Sequence, residues 1–391
     1  MGPDRDEVHV DQATTTTAEG GLRARLGQPE GIYATTAVDA LLAEVPQLGT
    51  DVTASISWAV RLGPHVPVPG QGQTLDAWET LASTAALDVG VARVLEPHLD
   101  ALSILAQAPA GTDLSSLGVD DGSSWGVFAA EGPGARLEAS VSATATSSSS
   151  DDDWVLDGVK PWCSLAANLS HALVTAWTPT GRRLFAVRLQ ADGVEAATGP
   201  WVSRGLQQVV SAPVTFSSVP AVPVGDVGWY LTRPGFAWGG IGVAAAWWGG
   251  AVGVARDLYA ALGEREPDQL ALAHLGAVDT ALTAARATLL DAASVVDAGA
   301  AETGGAPGDD APRPGVPAPS VVARRARGVV ARAVEEVLTR STHARGPGPL
   351  TSDETHARRV ADLAVYVRQH HAERDDASLG KALLEAGDRP W

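Results

Sequence analysis

The feature that most constrains this chain is a double change of hydrophobic period. From about residue 37 to residue 108 apolar residues recur at helical spacing, and Leu75, Trp78, Leu81, Ala85 and Leu87 fall on one face. Over residues 125–223 the pattern becomes short apolar or alternating runs. They are separated by turn residues such as Gly132-Pro133-Gly134, Pro179-Thr180-Gly181 and Asp192-Gly193. Helical spacing returns near Gly235 and continues to Asp297, then again over 320–343 and 353–373, with a short tail over 377–391. A side-chain period of 2 and one of 3.6 cannot serve the same segment, so each third commits to its own class. The expected fold is α+β and multidomain: an N-terminal helical domain over 28–115, a middle antiparallel β domain over 116–228, and a C-terminal helical bundle over 229–391. Residues 1–27, polar and without a period, are expected as a disordered tail, and the Pro/Gly-rich stretch 299–319 as an exposed loop. The stretch 238–262 is apolar nearly all round, which predicts a buried helix.

Composition excludes several classes. A net charge of −18, spread along 391 residues, argues against a nucleic-acid binder, which needs basic surface to displace counterions. No apolar run reaches the roughly 18–20 residues of a membrane span, and no charged-then-apolar leader is visible. The one cysteine, Cys163, cannot form an internal disulfide, which leads to the expectation of a cytoplasmic protein. No metal-ligand spacing and no phosphate-loop motif are present, and neither nucleic acid nor membrane is expected as a partner.

Chemistry concentrates in Trp154-Val155-Leu156-Asp157-Gly158-Val159-Lys160-Pro161-Trp162-Cys163-Ser164. Asp157-Gly158 between apolar residues predicts a hairpin turn, after which a second strand delivers an indole, a thiol and a hydroxyl in succession. The pattern resembles the middle-domain signature of the acyl-CoA dehydrogenase superfamily, W-x-(L/I)-x-G-x-K-x-(W/F)-I-(T/S). Other segments resemble that family in order. Ala129-Ala130-Glu131-Gly132-Pro133-Gly134-Ala135 is similar to its T-E-P-G-A-G-S-D loop, and Gly205-Leu206 with Val214 to Pro220 is similar to its exit from the β domain. Pro234-Gly235-Phe236 resembles the start of its C-terminal bundle, and Arg265 to Gln269 resembles a shortened R-x-x-F-G…Q segment.

The resemblance implies an FAD-dependent oxidoreductase, a homodimer or homotetramer, whose small-molecule substrate is an acyl thioester such as an acyl-CoA, or a related small molecule. Ala130, Trp162, Cys163 and Ser164 would border the isoalloxazine, with Cys163 as packing, and Arg265 and Gln269 would approach the pyrophosphate and adenine. Glu354, four residues before Arg358, is the candidate base; Ser352-Asp353-Glu354 also reads as an ordinary capped, acidic first turn of a helix. The superfamily also includes flavin monooxygenases, for which His98, His370 and His371 are the candidate proton-transfer residues, because imidazole titrates near neutrality. A non-catalytic scaffold on the same fold is the third reading. Each histidine equally reads as structural or solvated.

Overall fold

The structure, a computed structural model, describes residues 22–27, 36–142, 154–264, 266–302 and 318–387. Two aspartates start the main N-terminal helices. Asp51 Oδ1 accepts from Ala54 N at 2.9 Å before α3 (Val52–Leu62), and Asp88 Oδ1 accepts from Val91 N at 3.0 Å before α5 (Val89–Ala106). Each carboxylate satisfies a backbone N–H that a helix start leaves without a partner. The short α1 (Thr36–Leu42) and α2 (Val45–Leu48) precede them, and α4 (Thr74–Leu87) lies between.

Residues 22–27, expected as the end of a loose tail, are instead docked. Ala24 and Leu26 are buried, Ala24 N donates to Ser83 Oγ at 3.0 Å, and Leu26 N donates to Glu79 Oε2 at 2.9 Å. The carboxylate of Glu79 on α4 satisfies backbone donors that sequence polarity suggested would be left to water. Residues 1–21 lie outside the described residues.

Seven strands form the middle sheet: β1 (Trp125–Phe128), β2 (Leu137–Val141), β3 (Trp154–Ser164), β4 (His171–Thr178), β5 (Gly181–Arg188), β6 (Val194–Ala196) and β7 (Ser211–Val224). Their order is β1-β4-β2-β3-β7-β5, with β6 beside β7, and a β4–β5 pairing brings the path back on itself. The sheet is largely antiparallel, as expected, but β4 pairs in parallel with both β1 and β2.

The Asp157-Gly158 hairpin expected from sequence is absent. β3 runs straight through it as one strand of 11 residues, and β7 pairs with it on both sides of the pair. The register slips between Leu156 and Gly158, so these residues form a bulge. Gly158 sits at φ 114°, and a Cβ there would stand 2.3 Å from Arg136 O. Asp157 Oδ1 meanwhile accepts from Ser218 N at 2.7 Å. Both turn-favouring residues are therefore used, but to kink a strand.

The C-terminal region comprises α6 (Trp229–Thr232), α7 (Pro234–Gly263), α8 (Gln269–Glu302), α9 (Pro319–Arg345), α10 (Gly348–Ser352), α11 (Glu354–Tyr366) and α12 (Glu373–Ala386). Helix α7 is the buried helix expected, with Ile241, Trp247, Ala251, Val254 and Leu258 fully enclosed and α4, α8 and α9 packed around it. The helix expected over 353–373 breaks after Tyr366, where a 3-10 turn over Val367–Gln369 leads to Ala372 at φ 47°. The expected tail is mostly α12. Of the expected loop, residues 303–317 lie outside the described residues. Among the described residues no helix is long and apolar enough to cross a membrane.

Small residues on α7 let backbones meet. A Cβ on Gly249 would lie 2.0 Å from the backbone oxygen of Ala82 on α4. Gly249→Ala should therefore destabilise the fold by about 3 kcal/mol through overpacking. Gly276→Ala, on the exposed side of α8 with nothing near its Cβ position, should stabilise by up to ~1 kcal/mol. Urea unfolding of both variants checks the contrast, and equal effects would show that the α4–α7 approach is not tight.

Candidate active site

The site begins where β3 ends. A second slip in the β3–β7 register, between Lys160 and Cys163, places Trp162 at φ 59° with its indole 62% exposed. A bulky residue in the left-handed region is strained unless its surroundings impose it, and here the bulge does so. Successive side chains then diverge. Cys163 is buried, with Sγ donating to Lys160 O at 3.3 Å. Ser164 Oγ lies on the Trp162 side, 2.7 Å from Ser211 Oγ on β7, and accepts from Arg93 Nη2 at 3.2 Å.

A buried lysine, an exposed carboxylate and a half-buried guanidinium hold the neighbouring loop. Lys160 Nζ bonds Glu131 Oε1 at 2.7 Å and Thr175 Oγ1 at 2.9 Å, and the Arg182 guanidinium donates to Ala129 O. Burial lowers the Lys160 pKa, partly offset by Glu131. These contacts fix Ala129-Ala130-Glu131 at the rim.

The third wall is α5 with the end of α11. Arg93, Glu96 and Asp100 lie along one stripe of α5 and line a cleft of about 680 Å³ together with Ala130, Trp162 and Ser164. Tyr366 Oη donates to Glu96 Oε2 at 3.1 Å, and the Arg93 guanidinium lies 5.8 Å from the Tyr366 ring centre. Burial, reinforced by Glu96, pushes the Tyr366 phenol well above its ordinary range. Burial likewise raises Asp100 to about 6. A smaller apolar pocket of about 50 Å³, bordered by Trp78, Leu81 and Trp238, shares Glu96 and Asp100 with the cleft.

Of the residues singled out by sequence, Ala130, Trp162 and Ser164 are brought together on the cleft, and His371 also lines it. The others are elsewhere. Cys163 faces the opposite side of the strand, where burial raises its thiol to about 12. His98 is buried against the turn at Gly63, off the cleft, and burial alone lowers it to about 4. His370 lines a separate polar pocket of about 150 Å³ with Arg332 and Glu335. Glu354 is exposed in the first turn of α11, where Asp353 Oδ1 caps the helix by accepting from His356 N at 3.0 Å. The capping explanation of Ser352-Asp353-Glu354 therefore accounts for that segment, and Glu354 does not line the cleft. Gln269 is exposed at the first residue of α8, also off the cleft, and Arg265 lies outside the described residues.

Sequence reasoning missed Arg93, Glu96, Asp100 and Tyr366. A signal existed: three charges at i, i+3 and i+7 along one stripe of an otherwise apolar helix.

By sequence, no family model matches the chain and no curated protein does. By structure it is similar to KijD3 in complex with FMN and dTDP-3-amino-2,3,6-trideoxy-4-keto-3-methyl-D-glucose, at TM-score 0.70 and 19% identity over 91% of this chain and 95% of that one. It is also similar to FMN-bound TdsC from Paenibacillus sp. A11-2, at TM-score 0.68 and 17% identity over 89% and 98%. A glutaryl-CoA dehydrogenase from Mycobacterium smegmatis in complex with FADH2 matches at TM-score 0.67 and 15% identity over 89% and 95%. The chain therefore has the acyl-CoA dehydrogenase fold.

Leu206, which lines the cleft, is tied to α11 by Asp362, whose Oδ1 accepts from Leu206 N at 2.5 Å; burial raises this carboxyl to about 6. The folded state thus holds the proton more tightly than the unfolded chain does. The contribution of Asp362 to stability is present below its ordinary value of 3.8 and is lost as pH rises to about 6. Urea midpoints measured across that window should fall with pH, and the fall should be shallower in Asp362→Asn.

Proposed function

We propose that this protein is a flavin-dependent oxidoreductase that binds FMN in the cleft and acts, as a monooxygenase, on a small substrate with a compact apolar part. The observation that carries the reading is the convergence of Trp162, Ser164 and Arg93 on one cleft. The indole is flat and exposed although its backbone is strained, as a surface for stacking requires. The hydroxyls of Ser164 and Ser211 and the guanidinium of Arg93 supply donors beside it, suited to the polar edge of an isoalloxazine. These residues fit a flavin. When bound, the flavin would supply two-electron redox chemistry, with O₂ as co-substrate in this reading.

The chain's own residues do the rest. Trp162 would hold the ring face and fix its plane. Arg93, braced by Glu96, places positive charge where negative charge develops, in a site that burial makes less polarisable than water. Tyr366 closes the α11 side of the cleft and limits water entry.

Two observations favour the monooxygenase branch over acyl-thioester oxidation. Glu354, the carboxylate expected to take an α-proton, is not in the cleft. TdsC, with which the chain shares its fold, is a dibenzothiophene monooxygenase, and KijD3 and TdsC are both described with FMN. The glutaryl-CoA dehydrogenase, described in complex with FADH2, supports the other branch.

Purified protein mixed with FMN should show bound-flavin absorbance, and FAD should bind more weakly. Trp162→Ala should weaken FMN by ~10-fold or more. Its exposed position predicts a stability change within about 0.5 kcal/mol. Anaerobic titration with acyl-CoAs should leave the flavin oxidised. Bleaching by an acyl-CoA that Glu354→Gln abolishes would replace this reading with the dehydrogenase one.

A further inference from the structure

Three carboxylates line the cleft, and two of them are already engaged. Glu131 is held by Lys160 and Arg182, with Trp177 Nε1 at 3.4 Å. Glu96 receives the Tyr366 hydroxyl and pairs with Arg93. Asp100 differs. Among the described residues no hydrogen bond reaches its carboxylate, and the nearest cation, Arg233 Nη2, stands 3.7 Å away. Arg233 Nη1 is turned instead to Gln107 Oε1 at 2.9 Å, its buried Nε has no hydrogen-bond partner among the described residues, and its guanidinium lies 5.4 Å from the Tyr230 ring centre.

The position of Asp100 is as telling as its lack of partners. Its side chain retains 23% exposure and lines both the polar cleft and the apolar pocket. Helix α7 makes room for this arrangement with two glycines. A Cβ on Gly239 would stand 2.9 Å from Asp100 Oδ1, and one on Gly235 would stand 2.3 Å from Arg233 Nη1. A carboxylate that accepts no hydrogen bond among the described residues, and that lines both an apolar pocket and the cleft bordered by the exposed Trp162, is equipped to receive one donor from an otherwise apolar molecule.

We propose that Asp100 accepts the substrate's single hydrogen-bond donor, selecting compact apolar molecules that carry one phenol-type O–H or ring N–H. This rests on the flavoprotein reading for the reaction that follows, not for the binding itself. The substrate's O–H or N–H bond stays intact: it donates to an oxygen of the ionised Asp100, and this charge-assisted hydrogen bond shifts electron density toward the substrate heteroatom, making the ring more electron-rich. Arg233 is a positioning residue, since it faces Asp100 and not the substrate space.

Titration of Asp100 would set the pH response. Arg233 faces it from the α6–α7 segment together with Tyr230, and Glu96 lies on its own helix; Glu131 and His371 line the cleft beyond. Burial is the largest influence, followed by Arg233, which lowers the value, and Glu96, which raises it. The ionised form, the better acceptor, predominates above about 6.

The test uses phenol and anisole, which share a ring but differ in the donor. Binding of each is followed by tryptophan fluorescence across the pH range, with and without FMN. Phenol should bind ~10-fold or more tightly than anisole at neutral pH. Its affinity should drop as pH falls through about 6 while that of anisole stays flat. Asp100→Asn should make phenol binding independent of pH. Gly239→Ala, which displaces the carboxylate without breaking the helix, should reduce the phenol-to-anisole ratio. Equal affinities in the wild type, no binding of either ring, or a pH dependence that survives in Asp100→Asn would overturn the proposal. Failure to bind FMN while phenol keeps its advantage would instead remove the flavin reading and leave the donor site standing.

Discussion

The structure depends first on how closely α7 can approach its neighbours. This 30-residue helix is apolar nearly all round, and it lies among α4, α8 and α9 because it has no face that gains from water. Gly249 brings it against the backbone of Ala82, and Trp247 fills the space on the α11 side, edge-on to Tyr366 at 6.2 Å between ring centres. Dispersion and burial over that length outweigh the low helix propensity of its glycines. Tyr366 sits at the cleft because this packing presses the end of α11 inward.

The β domain contributes the opposite wall by departing from regularity. Two slips along one strand pair do different work. The first, at Gly158, bends β3 against β2, and the second turns Trp162 outward and leaves Cys163 inward. A regular strand would have alternated its side chains between the two faces without turning the indole outward on a strained backbone. Charge then fixes the rim. Lys160 is the only fully buried lysine described, and its bonds to Glu131 and Thr175 couple the strand to the Ala129-Ala130-Glu131 loop. The cleft is thus assembled from three elements whose positions are each set by a separate interaction.

Much of this was legible in the sequence. The order of helical, β and helical regions follows from period alone, and the burial of α7 follows from its lack of a polar face. Trp162, Ser164 and Ala130 were picked out by resemblance and do share the cleft. The misreadings have local causes. Asp157-Gly158 carries the chemistry of a turn, but positive φ serves a bulge equally well, and which one forms depends on whether β7 runs alongside. The spacing of Glu354 to Arg358 fits a base and an ordinary capped turn alike, and only the packing around α11 separates the two. His98 and His370 stand out in the sequence only as residue types; burial against Gly63 and a separate pocket place them off the cleft. Residues 22–27 looked like tail because their partners, Ser83 and Glu79, are more than fifty positions away.

The sequence by itself determined the class of each region, the buried helix and the strand that carries the indole and hydroxyl, because periodicity and turn chemistry act over a few residues. Only the tertiary structure decided which charged groups meet. Arg93, Glu96 and Asp100 share a stripe of α5 that could have been drawn from spacing. That Glu96 would be engaged by Tyr366 and Asp100 left without a hydrogen-bond partner depended on where α11 ends and where the glycines of α7 open a space. Hydrogen bonding and desolvation are set by contacts between segments distant in the chain, so the chemical character of a carboxylate is fixed only when those segments pack.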